Sequence, residues 1–272
     1  VESGHLELGG ELGVERYTAT IAPLKKMEPA YEKHDEAILA AQKKDWSSAR
    51  KLANEAVELL PGEGRFHQLL GDIELASKNV NASIPHYQKA IELNPDYFGS
   101  YLGGGIAKYE SGDKAQAEQW LTKSVELLPT APAAYFLGNI AKDRGEMNKA
   151  LEYYQAAAGS QSRYGQLAAS ELVRVDLPRN PGNYVATAGQ IDSSGRLILI
   201  VANRAPVPLS RIQVTPVLVD DAGRIVREGS PVVIREVLKP NQRIAGDAGV
   251  GALPPEHLSH VRFRVDGARI AE

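Results

Sequence analysis

Between residues 30 and about 162 apolar and small side chains recur at helical spacing, and the whole pattern returns about every 34 positions. Small residues mark the middle of each unit's first helix at Ala37, Gly71, Gly105 and Gly138. Twelve positions on stand Ala49, Ser83, Ala117 and Ala150; sixteen on, Ala53, Tyr87, Leu121 and Tyr154; nineteen on, Ala56, Ala90, Ser124 and Ala157. Pro61, Pro95 and Pro129 close the first three units. Two antiparallel helices approach closely only where small side chains meet at the crossing, so these positions predict four helix hairpins. The prolines stop each second helix, and KDW, KNVN, GDK and GEM supply polar, capping-competent turns within the hairpins. A further amphipathic helix is predicted from about Tyr164 to Val175, placed to cap the end of the array.

From Tyr184 the period changes to two. RLILIVANR, RIQVTPVLVDDAGRIV, PVVIREVL, QRIAG and HVRFRV read as strands, and DSSGR and DDAGR as tight turns, the second joining two strands as a hairpin. Short strands at this spacing, with prolines at their ends, predict a β-sandwich of about seven strands, similar to the immunoglobulin-like modules of bacterial envelope proteins.

Charge sharpens the boundary between the two patterns. Up to Leu177 the chain is Lys-rich with a net charge of −6; from Pro178 it is Arg-rich with a net charge of +3. The proline-rich LPRNPGNY marks the switch, giving a connector over 1–29, four hairpins with a capping helix over 30–177, and a β-sandwich over 178–272. The expected fold class is therefore α + β in two domains. Neither half carries the dense basic stripe that nucleic acid requires, so nucleic acid is not an expected partner. No run approaches the roughly 18 consecutive apolar residues of a transmembrane span. The absence of cysteine removes disulfides and thiolate sites and fits the cytosol and the periplasm alike. Because the sequence opens on Val1, it is expected to be a processed or excised piece of a longer polypeptide.

The hairpin positions resemble the tetratricopeptide (TPR) repeat family over about half of the chain. Two family positions depart from the pattern. The Trp near the start of the first helix is Lys33, His67, Tyr101 or Ala134, and the Tyr three after the small residue is Ala40, Glu74, Lys108 or Ala141, changes expected to cost packing at the outer positions. The resemblance implies a superhelix whose concave face is lined by Tyr31, His34, Ile38, Arg65, Gln68, Asp72, Leu75, Leu102, Ile106, Tyr109, Tyr135, Asn139, Lys142 and Asp143. The cluster of Lys, Asn and Arg with which some relatives clamp a terminal carboxylate is missing there. Tyr, Leu and Ile with scattered charge suit an extended or helical protein segment held by apolar anchors. The ordinary role of tyrosines at helical spacing is interhelix packing, and that of charges such as Glu55 and Glu58 is a solvated face.

Candidate chemistry is sparse. The six histidines include no HExxH, and His257 and His260 lie three apart with no third ligand in view. GGG at 103–105 falls inside a predicted helix and so is no phosphate loop, and no GxSxG elbow occurs. No catalytic or metal-binding residue is therefore assigned, and no cofactor is expected in this segment.

ERYTATIAPLKKMEPAYEKHDEAILAAQKKDWSSARKLANEAVELLP, NPDYFGSYLGGGIAKYESGD and LLPTAPAAYFLGNIAKDRGE, with LPRNPGNY and the β module, resemble the C-terminal TPR region of bacterial HExxH zinc metallopeptidases of the periplasmic β-barrel-assembly type. That resemblance implies an upstream catalytic domain carrying zinc, a periplasmic or envelope location, and a substrate- or partner-recruiting role for this segment. The alternative is a free-standing periplasmic TPR adaptor or lipoprotein with no enzyme attached.

Overall fold

The computed structural model describes residues 27–271; most of the expected 1–29 connector, and His5, lie outside the described residues. Nine α-helices are described: α1 (27–42), α2 (Trp46–Leu59), α3 (Gly64–Ala76), α4 (Val80–Leu93), α5 (Phe98–Glu110), α6 (Lys114–Leu127), α7 (Ala131–Asp143), α8 (Met147–Ala158) and α9 (Arg163–Asp176). They form a TPR-like array followed by antiparallel sheets. Contacts divide the chain into two compact units, Val1–Ile140 and Ala141–Glu272.

The first unit is organised by large side chains seated on glycines. Tyr87 is fully buried, and a Cβ added at Gly71 or Gly103 would lie 2.9 or 2.5 Å from its ring. The next two residues repeat the arrangement: a Cβ at Gly104 would meet Trp120 at 2.5 Å, and one at Gly105 would meet Leu121 at 2.7 Å. Each helical glycine costs about 1 kcal/mol relative to alanine in propensity. Here alanine does not fit, and tertiary packing offsets the cost. The GGG run is thus three consecutive seats on α5, one for a side chain of the preceding hairpin and two for side chains of its own.

The outer family positions are not simply packing losses. Glu74 is buried and accepts a two-pronged ion pair from Arg50 of α2, whose Nη2 donates to Oε2 at 2.9 Å; Asn79 Nδ2 donates to the same oxygen at 2.8 Å. The Arg50 hydrogen bond, chiefly, holds the Glu74 carboxyl below the usual carboxylate range. Lys108 reaches Asp113 at 3.4 Å and lies over the Trp120 ring at 5.8 Å. At two of the four positions a charged lock replaces the aromatic contact.

Among the described residues the second unit contains α8, α9 and seven strands: β1 (Val185–Ile191), β2 (Arg196–Asn203), β3 (Leu209–Val219), β4 (Ile225–Glu228), β5 (Val232–Ile234), β6 (Arg243–Ala252) and β7 (Val261–Ile270). One antiparallel sheet runs β1-β2-β6; in the other, β3 is flanked by β7 on one edge and by β4 and β5 in succession on the other. Leu197, Leu199 and Val201 from the first sheet and Leu209, Ile212, Val214 and Ile234 from the second share one core. Pro216 lies in the interior of β3. It has no N–H to donate, and it falls opposite the gap between β4 and β5, where Gly229 N donates to the Pro216 carbonyl at 2.8 Å.

Both turn sequences join antiparallel strands, β1 to β2 and β3 to β4, by the same chemistry. Asp192 accepts from the backbone N–H of Ser194 and Arg196, and Asp220 from those of Ala222 and Arg224. Gly195 and Gly223 take φ of 81° and 79°. The Ser194 hydroxyl, foremost, and these backbone donors bring the Asp192 pKa down to about 2.

The expected capping helix does more than cover an array end. α9 packs on α8 and places Val173 and Leu177 in the sandwich core. Asp176 then organises LPRNPGNY: its carboxylate accepts from Asn180 Nδ2 at 2.7 Å, Asn183 Nδ2 at 3.1 Å and the Tyr184 hydroxyl at 2.8 Å. Burial pushes the Asp176 pKa up, but these bonds and nearby Arg179 more than offset it, leaving the pKa lowered. Replacing Asp176 with Ala is expected to destabilise the second unit by about 1–3 kcal/mol, read as a lower denaturant midpoint with unchanged slope; an unmoved midpoint would show that the three bonds contribute nothing net.

His67 and His86 both have pKa values lowered chiefly by burial. His67 Nε2 faces the Pro61 carbonyl at 3.3 Å, while its Nδ1 is buried with no hydrogen-bond partner among the described residues. With the folded pKa below the ordinary 6.5, the unfolded chain takes up protons first as pH falls. Stability is therefore complete above about pH 6.5 and is lost as pH drops through the folded value. Melting curves from pH 7.5 to 5 should show a falling midpoint whose slope is reduced in His67→Leu; identical slopes would remove His67 as a source.

Candidate functional site

The structure gathers the family-implied lining residues into local groups. On α1, the Tyr31 ring meets Phe66 edge-on at 5.1 Å and its hydroxyl donates to Glu63 at 2.6 Å. That hydrogen bond, foremost, raises the Tyr31 pKa. His34 lies 5.2 Å from Phe66 and 3.0 Å from Asp35. These partners anchor the start of the array and leave both rings half-buried.

The centre of the first unit holds a polar network. Tyr87 comes from α4, passes over Gly71 of α3 and Gly103 of α5, and donates its hydroxyl to Asp72 Oδ1 at 2.7 Å. Gln68, one turn before Asp72 on α3, donates a second hydrogen bond to that carboxylate and lies 3.5 Å from Ser100 Oγ of α5. Asp72 is exposed at the surface, yet the protein packed around it raises its pKa by desolvation against the two hydrogen bonds. Burial, foremost, and the Asp72 charge push the Tyr87 hydroxyl well above its ordinary value, so it stays protonated and donating.

Apolar positions flank this network. Leu75 stands one turn beyond Asp72, and Leu102 and Ile106 stand on either side of the glycine seats; all three are half-buried, as is Ile38 on α1. Tyr109 packs edge-on against Phe136 of α7 at 5.1 Å, and Tyr135 lies 5.4 Å from the same ring. Asn139 is buried, whereas Arg65 is exposed. Lys142 and Asp143 belong to the second unit, where Lys142 is held by Glu171 of α9 at 2.6 Å.

Sequence reasoning missed four contributors: Glu63, Phe66, Tyr87 and Ser100. Tyr87 carried a signal, since a tyrosine at the sixteenth offset can extend a hydroxyl where Leu121 cannot. In the second unit, His260 faces Asp221 at 3.0 Å and Ser259 at 3.1 Å, and no group of three His, Asp or Glu able to hold a metal occurs among the described residues. No helix of the described residues is long and apolar enough to cross a membrane.

Comparison with known proteins bears on the helical region. Residues 34–98 and 102–164 match the family model for the tetratricopeptide repeat. Hsc70-interacting protein 1 of Drosophila melanogaster is 32% identical over 103 residues, covering 38% of this chain and 27% of that protein. Superkiller protein 3 of Schizosaccharomyces pombe is 29% identical over 107 residues, covering 38% of this chain and 8% of that one. The chain thus spans about a quarter or less of the length of these relatives. A crystal structure of MamA protein superposes with a TM-score of 0.50 at 21% identity over 55% of this chain and 81% of that one, a likeness of fold. The match to the tetratricopeptide repeat is confined to the helical region, where the described helices form a TPR-like array.

Replacing Tyr87 with Phe keeps the ring seated on its glycines but removes the donor to Asp72. The expected cost is about 1–3 kcal/mol in chemical denaturation. A midpoint unchanged from the parent would mean that water replaces the hydroxyl without loss.

Proposed function

We propose that the face formed by α1, α3 and α5 binds a protein segment in extended or helical form. The single observation that supports this most is that Leu75, Leu102 and Ile106, within a turn of Asp72 on α3 or of the Gly103 seat on α5, are only half-buried, while Asp72 is exposed and fixed by the Tyr87 hydroxyl. Apolar anchors beside one directional polar group are the usual make-up of a peptide-recognition surface. The segment acts by holding a partner, not by transforming it.

At a finer level, we propose that the segment is the recruiting C-terminal region of a bacterial envelope zinc metallopeptidase, working in the periplasm with zinc held in an upstream domain. What supports this is the order of repeats, LPRNPGNY and β module. Sequencing the coding region upstream of Val1 tests that finer reading: an HExxH motif supports it, and a lipobox near Val1 favours the free-standing adaptor instead.

The binding face is tested by a photo-crosslinking amino acid placed at Leu102 or Ile106 and, as a control, at exposed Lys123 of α6. Adducts to a discrete partner are expected from the first two positions and not from the third. Equal labelling from all three would remove this face from the mechanism.

A further inference from the structure

Asp72 is built into the fold yet has no cationic partner. Its two donors, Tyr87 and Gln68, are neutral, and it forms no ion pair among the described residues. Influences on its protonation come from desolvation first and then from these two hydrogen bonds, with no cation contributing. Glu110, at the end of α5, adds a second negative charge that is felt at the Tyr87 hydroxyl, and it too forms no ion pair among the described residues. Two donors occupy only part of a carboxylate's acceptor capacity, and the rest lies along its exposed flank.

The surroundings fix where that flank lies. The Tyr87 hydroxyl is 2.7 Å from Asp72 and 2.8 Å from where a Cβ would stand on Gly103. Asp72 therefore sits beside the glycine seat of α5, with Leu102 next to that seat in sequence and Ile106 one turn beyond it. Leu75 lies one turn beyond Asp72 on α3. An exposed carboxylate oriented by two donors, with branched aliphatic residues within a turn of it or of the neighbouring seat, matches a cationic side chain flanked by apolar ones. It repels an acidic one.

We infer that the α3–α5 face selects a peptide segment carrying a lysine or arginine flanked by apolar residues, the cation meeting Asp72 and the neighbours resting on Leu75, Leu102 and Ile106. The inference rests on the binding-face reading above and adds the chemistry of the ligand. Acidic tails, which a basic clamp would take, are excluded by charge.

The test uses the full 272-residue chain. A positional-scanning nonapeptide library is passed over the immobilised protein, and the retained consensus is resynthesised with arginine or its neutral isostere citrulline at the selected position. Retained peptides should carry Lys or Arg between apolar residues, the arginine peptide should bind about tenfold or more tightly than the citrulline peptide by fluorescence anisotropy, and Asp72→Asn should erase that difference. The amide keeps an acceptor for Tyr87, and an unchanged circular dichroism spectrum and melting midpoint confirm folding. If Asp72→Asn does not fold, Gln68→Glu and a salt titration of the arginine peptide take its place: Gln68→Glu should tighten arginine binding, and rising salt should narrow the arginine–citrulline gap. Retention of acidic or neutral peptides, equal arginine and citrulline affinities, or a difference that survives in Asp72→Asn overturns the cation site while leaving the binding face standing. Retention of no peptide overturns both.

Discussion

The first unit depends on one constraint: large side chains can be buried between closely approaching helices only where the opposing backbone carries no Cβ. Tyr87 shows the consequence most directly, because its ring needs clearance from α3 and α5 at once, and Gly71 and Gly103 provide it. Gly104 and Gly105 extend the same solution to Trp120 and Leu121. Three adjacent glycines would ordinarily weaken a helix by a few kcal/mol. Dispersion contacts and apolar burial at the seats offset that loss, so α5 is a helix by tertiary packing more than by propensity. The seat also sets the polar chemistry, since the depth to which the Tyr87 ring sinks determines where its hydroxyl emerges and hence where Asp72 is held.

Carboxylates are the second organising device. Glu74, Asp176, Asp192 and Asp220 each receive several donors, and each has a pKa lowered by the balance of those bonds against burial. They fix a hairpin-to-hairpin junction, the α9-to-strand turn and two β-turns. In each case a short acidic side chain satisfies backbone or amide donors that the turn leaves exposed, which is the commonest reason for an Asp or Glu at a chain reversal. Asp72 departs from this group: its donors are few, it has no cationic partner, and desolvation raises its pKa.

Much of the architecture was legible because it depends on local repetition. The 34-residue recurrence of small residues located the hairpins, and the change to period two located the strands, since both report which face of an element is buried. Features that depend on distant parts of the chain were not legible. Glu74 read as a lost aromatic contact because its partner Arg50 lies 24 residues away in the preceding hairpin. Val173 read as part of a capping helix, although it and Leu177 belong to the sandwich core. Pro216 read as lying inside a long strand, but a single strand pattern cannot show that β4 and β5 leave a gap opposite it. The candidate lining residues were assigned by family position, and the network joining Asp72, Gln68, Tyr87 and Ser100 required three helices to be placed together.

A repeat scaffold changes its ligand preference most easily at positions that the packing does not consume. The helix-crossing residues are tied to the seats, and Gly103 in particular tolerates no side chain without displacing Tyr87. Asp72, Leu75, Leu102 and Ile106 lie next to those seats, but their outward flanks make no comparable demand on the fold. Polarity there can vary while the hairpins stay intact, which lets one architecture present a basic clamp in one protein and an acidic floor in another. What holds the Asp72 carboxylate here is the tyrosine at the sixteenth offset. Its ring is required by the packing, and its hydroxyl holds a carboxylate in place beside the proposed binding face.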